Sequence, residues 1–402
     1  GAKTKGVDMV FALSQIKGHQ TSCAKLPLWA TTEGIVFPVT LSLEQCSSQQ
    51  TAEYKAQLLN RLSKGLDVEK MPFSSQKEGE NVRKTLSLTD LTGGFGVDFT
   101  LMAKQVDSSC YVEQQQTLCD IAENNLPLLG VRNFKVMCCD GEKYLKEMNG
   151  TSFIFLDPAR RDANGAKTVE IEQCTPNVLA LKETLLQKCC VAIVKLSPML
   201  DWHSAVAQLK YVTEVHIVSV GNECKELLLV LTDRNKTAKG CKSNTIQIFC
   251  VNDNDVFSYE EGIYSEGENI PQQRIFDRNA TLPPYLYEPN ASIMKAGCFA
   301  QLSETYGVAA LGHNSHLFVS PDFLPHFPGR KFQIVNVCTL NKKELRRALA
   351  GMTQANIAVR NFPMRVDELK KRLKLRDGGE HYIFATTRGD KEHILIISKK
   401  EV

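Results

Sequence analysis

The sequence predicts an α/β fold centred on a doubly wound, largely parallel sheet, with a helical region before it and α+β modules after it. Three observations carry this prediction. Between Thr85 and about Asp233, strand-like runs alternate with helix-like ones, the order that places helices on both faces of a parallel sheet. Two strand-like runs, VHIVSV and ELLLVLT, are joined only by the polar link GNECK, which fits an antiparallel pair at an edge. From Phe327 onward the pattern is strand, helix, strand, helix, strand, strand, a compact α+β order.

The first region, 1–80, reads as largely helical. Ser47 and Ser48 stand where they can cap a helix through TAEYKAQLLNRL, and Ala52, Ala56, Leu59 and Leu62 fall on one face of it. The polar run SSQKEGENVRK reads as a linker or loop. The second region, 81–240, holds the strands TLSLTD, SCYVEQ, FKVMCCD, FIFLD and CVAIVKLS before the edge pair, with a helix in QTLCDIAENNLPLL. The third, 241–325, opens with the strand-like TIQIFCVN and VFSYEEG. The proline-marked ATLPPYLYEPN and a helix-like ASIMKAGCFAQLSETYG follow. The last, 326–402, has strands in KFQIVNVCTL, IAVRNFP, HYIFATTRG and EHILIISKK and helices in KKELRRALAGM and VDELKKRLKL.

A chain of 402 residues has room for two or three domains of ordinary size. It holds no apolar run of the ~18 residues that a membrane span needs, so no membrane partner is expected. The opening residues show no secretory leader, although the leading Gly1 leaves the natural start open. The 14 cysteines include no C-x-x-C pair, only the direct neighbours Cys138–Cys139 and Cys189–Cys190. Reduced thiols, a cytoplasmic location and no structural zinc are the expectations. His313 and His316 have a metal-like spacing but no third ligand nearby, so a turn is expected there, and no metal. Trp29 and Trp202 read as core.

Charge is uneven. From Pro325 to Val402 there are 17 lysines and arginines against 8 acids, a net +9, whereas the rest carries 31 against 37. A basic end on a mildly acidic body points to a polyanionic partner. Lys342, Lys343, Arg346 and Arg347 cluster in one helix, and Lys370, Lys371, Arg372, Lys374 and Arg376 in and after another. With no aromatic residues interleaved, these runs suit RNA recognised by shape and phosphates. Taken singly, each run also reads as a solvated helix face.

The chemistry concentrates in DLTGGFGVD. Asp90 ends the first strand, Gly93, Gly94 and Gly96 follow Thr92, and Asp98 opens the next helix. Open α/β sheets bind ligands beyond the carboxyl ends of their strands. A nucleoside triphosphate would need the lysine of G-x-x-x-x-G-K-[ST], and a dinucleotide would need G-x-G-x-x-G; neither is here. S-adenosylmethionine, with a sulfonium, an ammonium and one carboxylate, is a net cation and suits a turn flanked by two acids. The later strands agree: Glu113 ends the second, to accept the ribose hydroxyls. Asp140 and Gly141 end the third, near the adenine amino group, and Asp157 and Pro158 end the fourth, beside the methyl group.

DLTGGFGVD, YVEQ, CDG and DPAR resemble the motifs of class I S-adenosylmethionine-dependent methyltransferases, over about Thr85 to Asp233. A longer resemblance adds KLPLW, EQCSSQQTAEYKA, DPARRD, VKLSPMLD, NECKELL and GGEHYIFATT. It is to a bacterial family of such methyltransferases with a C-terminal THUMP-like domain. It implies a Rossmann-like sheet, a small ferredoxin-like piece at about Arg274–Asp322, and a structured RNA substrate, a tRNA or an rRNA. It also implies that EQCSSQQTAEYKA lies over the cofactor cleft.

On this reading Asp157, Pro158 and Arg160 form the catalytic set, Asp157 accepting from an acceptor amine and holding its lone pair in line. The chain departs from the D-P-P-aromatic pattern of base-amino methyltransferases, because Ala159 and Arg160 follow Pro158. Arg160 and Arg161 either stack on a base or clamp a phosphate, or they pair with Asp162, Glu170 or Glu172. Carbon-5 methylation would need a cysteine, and neither the turn after the fourth strand nor VKLSPMLD holds one. Lys195, Ser197 and Asp201 stand where substrate contacts are expected; alternatively Ser197 caps a helix with Pro198 in its first position. Two rivals stay open: a methyltransferase for a small molecule or protein, and a non-catalytic RNA-binding protein with a relic fold.

Overall fold

A computed structural model describes residues 8–66, 85–159, 171–233, 245–262, 272–389 and 391–401, and the backbone of 75–78 and 81–84. The chain divides into two compact units. The first is Gly1–Val220 with Lys225–Ile248 and Glu260–Gly262; the second is Gly221–Cys224 with Phe249–Tyr259 and Ile263–Val402.

Four helices open the first unit: α1 (Met9–Lys25), α2 (Pro27–Thr31), α3 (Thr40–Gln45) and α4 (Gln49–Gly65). Asp8 caps α1, accepting from the amides of Val10 and Phe11, and Pro27 starts α2, where no amide is needed. Ser48 caps α4 by accepting from Thr51 N. Ala52, Ala56 and Leu59 are buried as the spacing predicts. Leu26, Trp29, Phe37, Leu43 and Ala52 form one core with Phe95, Val97 and Leu129. Asn125 clamps the backbone of Val36 through both of its side-chain atoms, at 2.9 and 2.8 Å. The helical region is thereby packed onto the segment that follows the first sheet strand.

The run expected as a linker instead pairs as a hairpin, β1 (Ser75–Glu78) with β2 (Asn81–Lys84). Its polar composition hid it: the backbone pairing needs no apolar face, so the alternation that reveals a half-buried strand is missing.

The large sheet contains β3 (Ser87–Asp90), β4 (Ser108–Glu113), β5 (Phe134–Cys138), β6 (Thr151–Leu156), β7 (Cys189–Leu196), β8 (Val212–Val220), β9 (Glu223–Thr232), β10 (Thr245–Asn252) and β11 (Asp255–Gly262). Their order is β11-β10-β8-β9-β7-β6-β3-β4-β5. Strands β3 to β7 pair in parallel and β9 runs antiparallel to β7; β8 and β9, the strands that the short GNECK link joins, are neighbours in the sheet. The chain winds outward from β3 to β5, then returns to β6 beside β3, so a switch point lies between β3 and β6. Helices α5 (Val97–Ala103), α6 (Gln116–Leu128), α7 (Gly141–Glu147), α8 (Val178–Lys188) and α9 (Trp202–Leu209) connect the strands. Phe99 and Met102 of α5 pack with Leu88, Phe153, Phe155 and Ile193.

The second unit carries β12 (Tyr285–Pro289), α10 (Ala291–Ala296), α11 (Phe299–Tyr306), β13 (Ala309–Ala310), β14 (Phe318–Ser320), β15 (Gly329–Cys338), α12 (Lys342–Ala348), β16 (Asn356–Arg360), α13 (Val366–Leu373), β17 (His381–Arg388) and β18 (Glu392–Lys400). Its sheet runs β13-β14-β12-β15-β18-β17-β16, with β16 and β17 parallel. The single helix-like run ASIMKAGCFAQLSETYG is two helices. Gly297, at φ +72°, ends α10 in the left-handed conformation that glycine adopts without strain. Leu369 and Leu373 of α13 are buried against Ile383, Leu395 and Ile397. His316 lies in a turn at φ +52° beside the Phe299 ring.

Trp29 and Trp202 are buried. Among the described residues the cysteines are free thiols, no helix is long and apolar enough to cross a membrane, and no group of three or more His, Cys, Asp and Glu side chains is arranged for a metal.

Candidate active site

The carboxyl ends of β3, β4, β6 and β7 open on a cavity of about 430 Å³, lined by Asp90–Asp98, Glu113, Asp140, Gly141, Asp157, Pro158, Lys195 and Ser197. Of EQCSSQQTAEYKA, expected from the resemblance to lie over the cleft, Gln45, Cys46 and Ser47 line it.

The glycine turn is built for close approach. Gly93 N donates to Val112 O at 2.9 Å, and Gly94 N donates to Glu113 Oε2 at 2.9 Å. A Cβ on Gly93 would stand 2.2 Å from Cε2 of Tyr111, and one on Gly141 would stand 2.3 Å from Leu91 O. Gly94 and Gly96 meet a different demand, φ of +56° and +78°, which disfavours any side chain.

The four strand-end acids meet at this cavity. Asp90 accepts from Thr92 N at 2.9 Å; its burial, with Asp98 and Asp157 adding to it, pushes the carboxyl up to about 8. Glu113 accepts from Gly94 N through one oxygen and from Gln115 N through the other. Asp140 caps α7, accepting from Lys143 N at 2.9 Å. Asp157 donates its amide to Thr92 Oγ1 at 2.7 Å and accepts from Lys195 Nζ at 2.5 Å.

Sequence reasoning finds no lysine beside the turn; the fold brings two. Lys55 of α4 is fully buried. Its Nζ lies 2.7 Å from both oxygens of Glu226, 3.0 Å from Asp98 Oδ1 and 3.2 Å from Ser47 Oγ. Lys195 of β7 lies 3.7 Å from Asp98 Oδ2 as well as against Asp157. Burial opposes the ionisation of Asp98, yet Lys55, Lys195 and the Ser47 hydroxyl hold its carboxyl below the usual range. Burial pulls Lys195 down, but Asp157, Asp98 and Glu226 outweigh it and keep the ammonium strongly protonated. Asp98 therefore lines the cavity as the partner of two ammonium groups. Lys55 and Glu226 are 171 residues apart, and no local motif announces them; a lysine on the buried face of the α4 pattern is the one available signal.

The expected helix start at Ser197 is displaced. Ser197 Oγ accepts from Met199 N, and the helix begins at Trp202 under an Asp201 cap. Cys46, outside the two turns searched by sequence, also lines the cavity. Its thiol donates to Leu43 O at 3.1 Å, and burial raises its pKa, so it stays protonated.

Lys342, Lys343 and Arg346 are exposed on α12, and Lys371 and Arg372 on α13. Lys370 is half-buried and pairs with Asp377 at 2.5 Å. Arg160 and Arg161 lie outside the described residues.

Residues 329–400 match a family model described as THUMP domain-like, and residues 285–328 match a ferredoxin-like domain. The chain is similar to the crystal structure of a proposed methyltransferase from Porphyromonas gingivalis W83, with 28% identity, 98% of this chain and 90% of that chain covered, and a TM-score of 0.80. A proposed RNA methyltransferase from Pyrococcus horikoshii shares 13% identity over 54% of this chain and 98% of its own, with a TM-score of 0.35. A proposed methyltransferase from Streptococcus mutans, solved in complex with SAH, shares 11% over 45% of this chain and 96% of its own, with a TM-score of 0.31. No curated protein matches the chain. Fold, cavity and module matches together identify a chain of the methyltransferase type that ends in a ferredoxin-like domain and a THUMP-like module.

Proposed function

We propose that this chain transfers a methyl group from S-adenosylmethionine to a structured RNA, a tRNA or an rRNA. The observation that carries the reading is the convergence of Asp90, Glu113, Asp140 and Asp157 with the glycine turn on one cavity. The donor set fits the cofactor: carboxylates suit a net cation and its ribose and amino groups, and repel a pyrophosphate. When bound, the cofactor supplies an electrophilic methyl group. Asp90 faces its positive end, Glu113 accepts from the ribose, Asp140 reads the adenine amino group, and Gly93–Gly96 let the backbone approach. Asp157 and Pro158 position the acceptor. The THUMP-like module, with the exposed cations of α12 and α13, holds the RNA through phosphates. Labelled methyl transfer to total cellular RNA sorted by size tests this: wild-type protein labels an RNA size class and Asp157→Ala does not. Label in protein instead of RNA contradicts the substrate class.

A further inference from the structure

Glu226, Lys55, Asp98, Lys195 and Asp157 form one continuous chain of charge from the buried side of the sheet to the cavity. Stability alone does not account for it, because a buried ion pair contributes about as much as a well-packed apolar pair of the same shape. The chain ends on two side chains of the cavity wall. Lys195 is 13% exposed and Asp157 36%. Lys195 occupies Oδ2 of Asp157, and Oδ1 has no hydrogen-bond partner among the described residues.

The charges at this end of the cavity weigh differently on the possible methyl acceptors. A nitrogen acceptor gains positive charge as it takes a methyl group; the Lys195 ammonium opposes that charge and takes up the Asp157 oxygen that would otherwise offset it. Carbon-5 of a pyrimidine needs a thiolate to activate it, and the cavity's Cys46 is a thiol whose pKa is raised. A hydroxyl oxygen must lose a proton and gains negative charge on the way. An ammonium stabilises that charge, and a carboxylate takes the proton. In RNA the hydroxyl available along the whole chain is the ribose 2′-OH.

We propose that the acceptor is a ribose 2′-hydroxyl, that Lys195 is the catalytic cation that stabilises its developing alkoxide, and that Lys55, Asp98 and Glu226 are positioning residues that hold Lys195 in place. The inference rests on the RNA reading given above. The ribose oxygen bonds to the methyl carbon as the methyl–sulfur bond breaks. The sulfur keeps the bonding pair and becomes a neutral thioether. The hydroxyl proton passes to Asp157 Oδ1 and then to water.

The test uses the full chain, methyl-labelled donor, and total RNA from cells deleted for the gene, followed by alkaline hydrolysis. A methylated 2′-oxygen cannot attack the neighbouring phosphate, so the label is expected in alkali-resistant dinucleotides. Label in mononucleotides overturns the hydroxyl acceptor while the RNA reading stands; label in protein or small molecules overturns both. In parallel, Lys195→Met is expected to lose ~10²–10³-fold in kcat and to bind S-adenosylhomocysteine as wild type does by calorimetry, with Lys195→Arg recovering part of the rate. A Lys195→Met protein of wild-type rate overturns the assignment. Glu226→Gln is expected to lower kcat without changing the donor KM; an unchanged kcat overturns the positioning role.

Discussion

The Nζ of Lys195 lies 2.5 Å from Oδ2 of Asp157, so the acid that ends β6 is half of an ion pair and not a lone acceptor. That pair joins the DPAR turn to VKLSPMLD, and through Asp98 and Lys55 to a helix that precedes the sheet in sequence. The site's charge is thus set by residues from four separate elements, and each can be perturbed alone.

Lys55 is the buried centre of this network. Lys55→Met leaves Glu226 and Asp98 buried without their main cation, and should cost about 3–5 kcal/mol in urea unfolding. Adding Glu226→Met to it should restore part of that loss, since one stranded charge is then removed. A double variant less stable than Lys55→Met contradicts the pairing.

Asp90 makes donor binding pH-dependent. Its carboxyl titrates at about 8 when folded, against ~3.9 in an unfolded chain. The folded state holds a proton that the unfolded state has released. The stability due to this group is therefore full below about pH 4 and is lost as pH rises through the folded value. A cationic donor favours the carboxylate, so binding at neutral pH should release a proton and tighten as pH rises toward the folded pKa. Calorimetry in buffers of different ionisation heat measures the release. Asp90→Asn should abolish it, and a wild-type protein that releases no proton contradicts the placement.

Gly93 and Gly65 make a controlled pair. A methyl group at Gly93 meets the buried Tyr111 ring, whereas one at Gly65 meets nothing within 4 Å. Gly93→Ala should cost about 1–3 kcal/mol by overpacking, and Gly65→Ala should be neutral or stabilising by up to about 1 kcal/mol. Thermal unfolding of the two variants checks this, and equal effects contradict it.

The exposed cations of α13 predict a salt signature. Replacing Lys371 and Arg372 with glutamine should weaken RNA binding and reduce the slope of log affinity against log salt by about 0.7–0.9 per lost contact. Filter binding across a salt series measures it. An unchanged slope excludes this helix as a phosphate contact.

Much of this was legible in the sequence, for a physical reason. DLTGGFGVD, the strand-end acids and the two basic helices are local patterns, each fixed by the φ, capping or burial demands of a few adjacent residues. What was not legible depends on distance or on composition. Lys55 reaches Glu226 only because β9 inserts beside β7. The β1–β2 hairpin is written in a polar run without alternation, and Gly297 breaks a helix whose periodicity runs on past it. Cys46 came to the cavity with the N-terminal helices, which pack through Trp29 and Phe37 onto Phe95.

The central claim is that the turn after β3 holds a cationic methyl donor among carboxylates. Calorimetric titration of S-adenosylmethionine into wild-type and Glu113→Ala protein tests it most directly. The account predicts one equivalent bound by wild type and an affinity at least tenfold weaker, about 1.4 kcal/mol, in the variant. Absence of binding to wild type at high micromolar donor, or equal binding by both proteins, would contradict it.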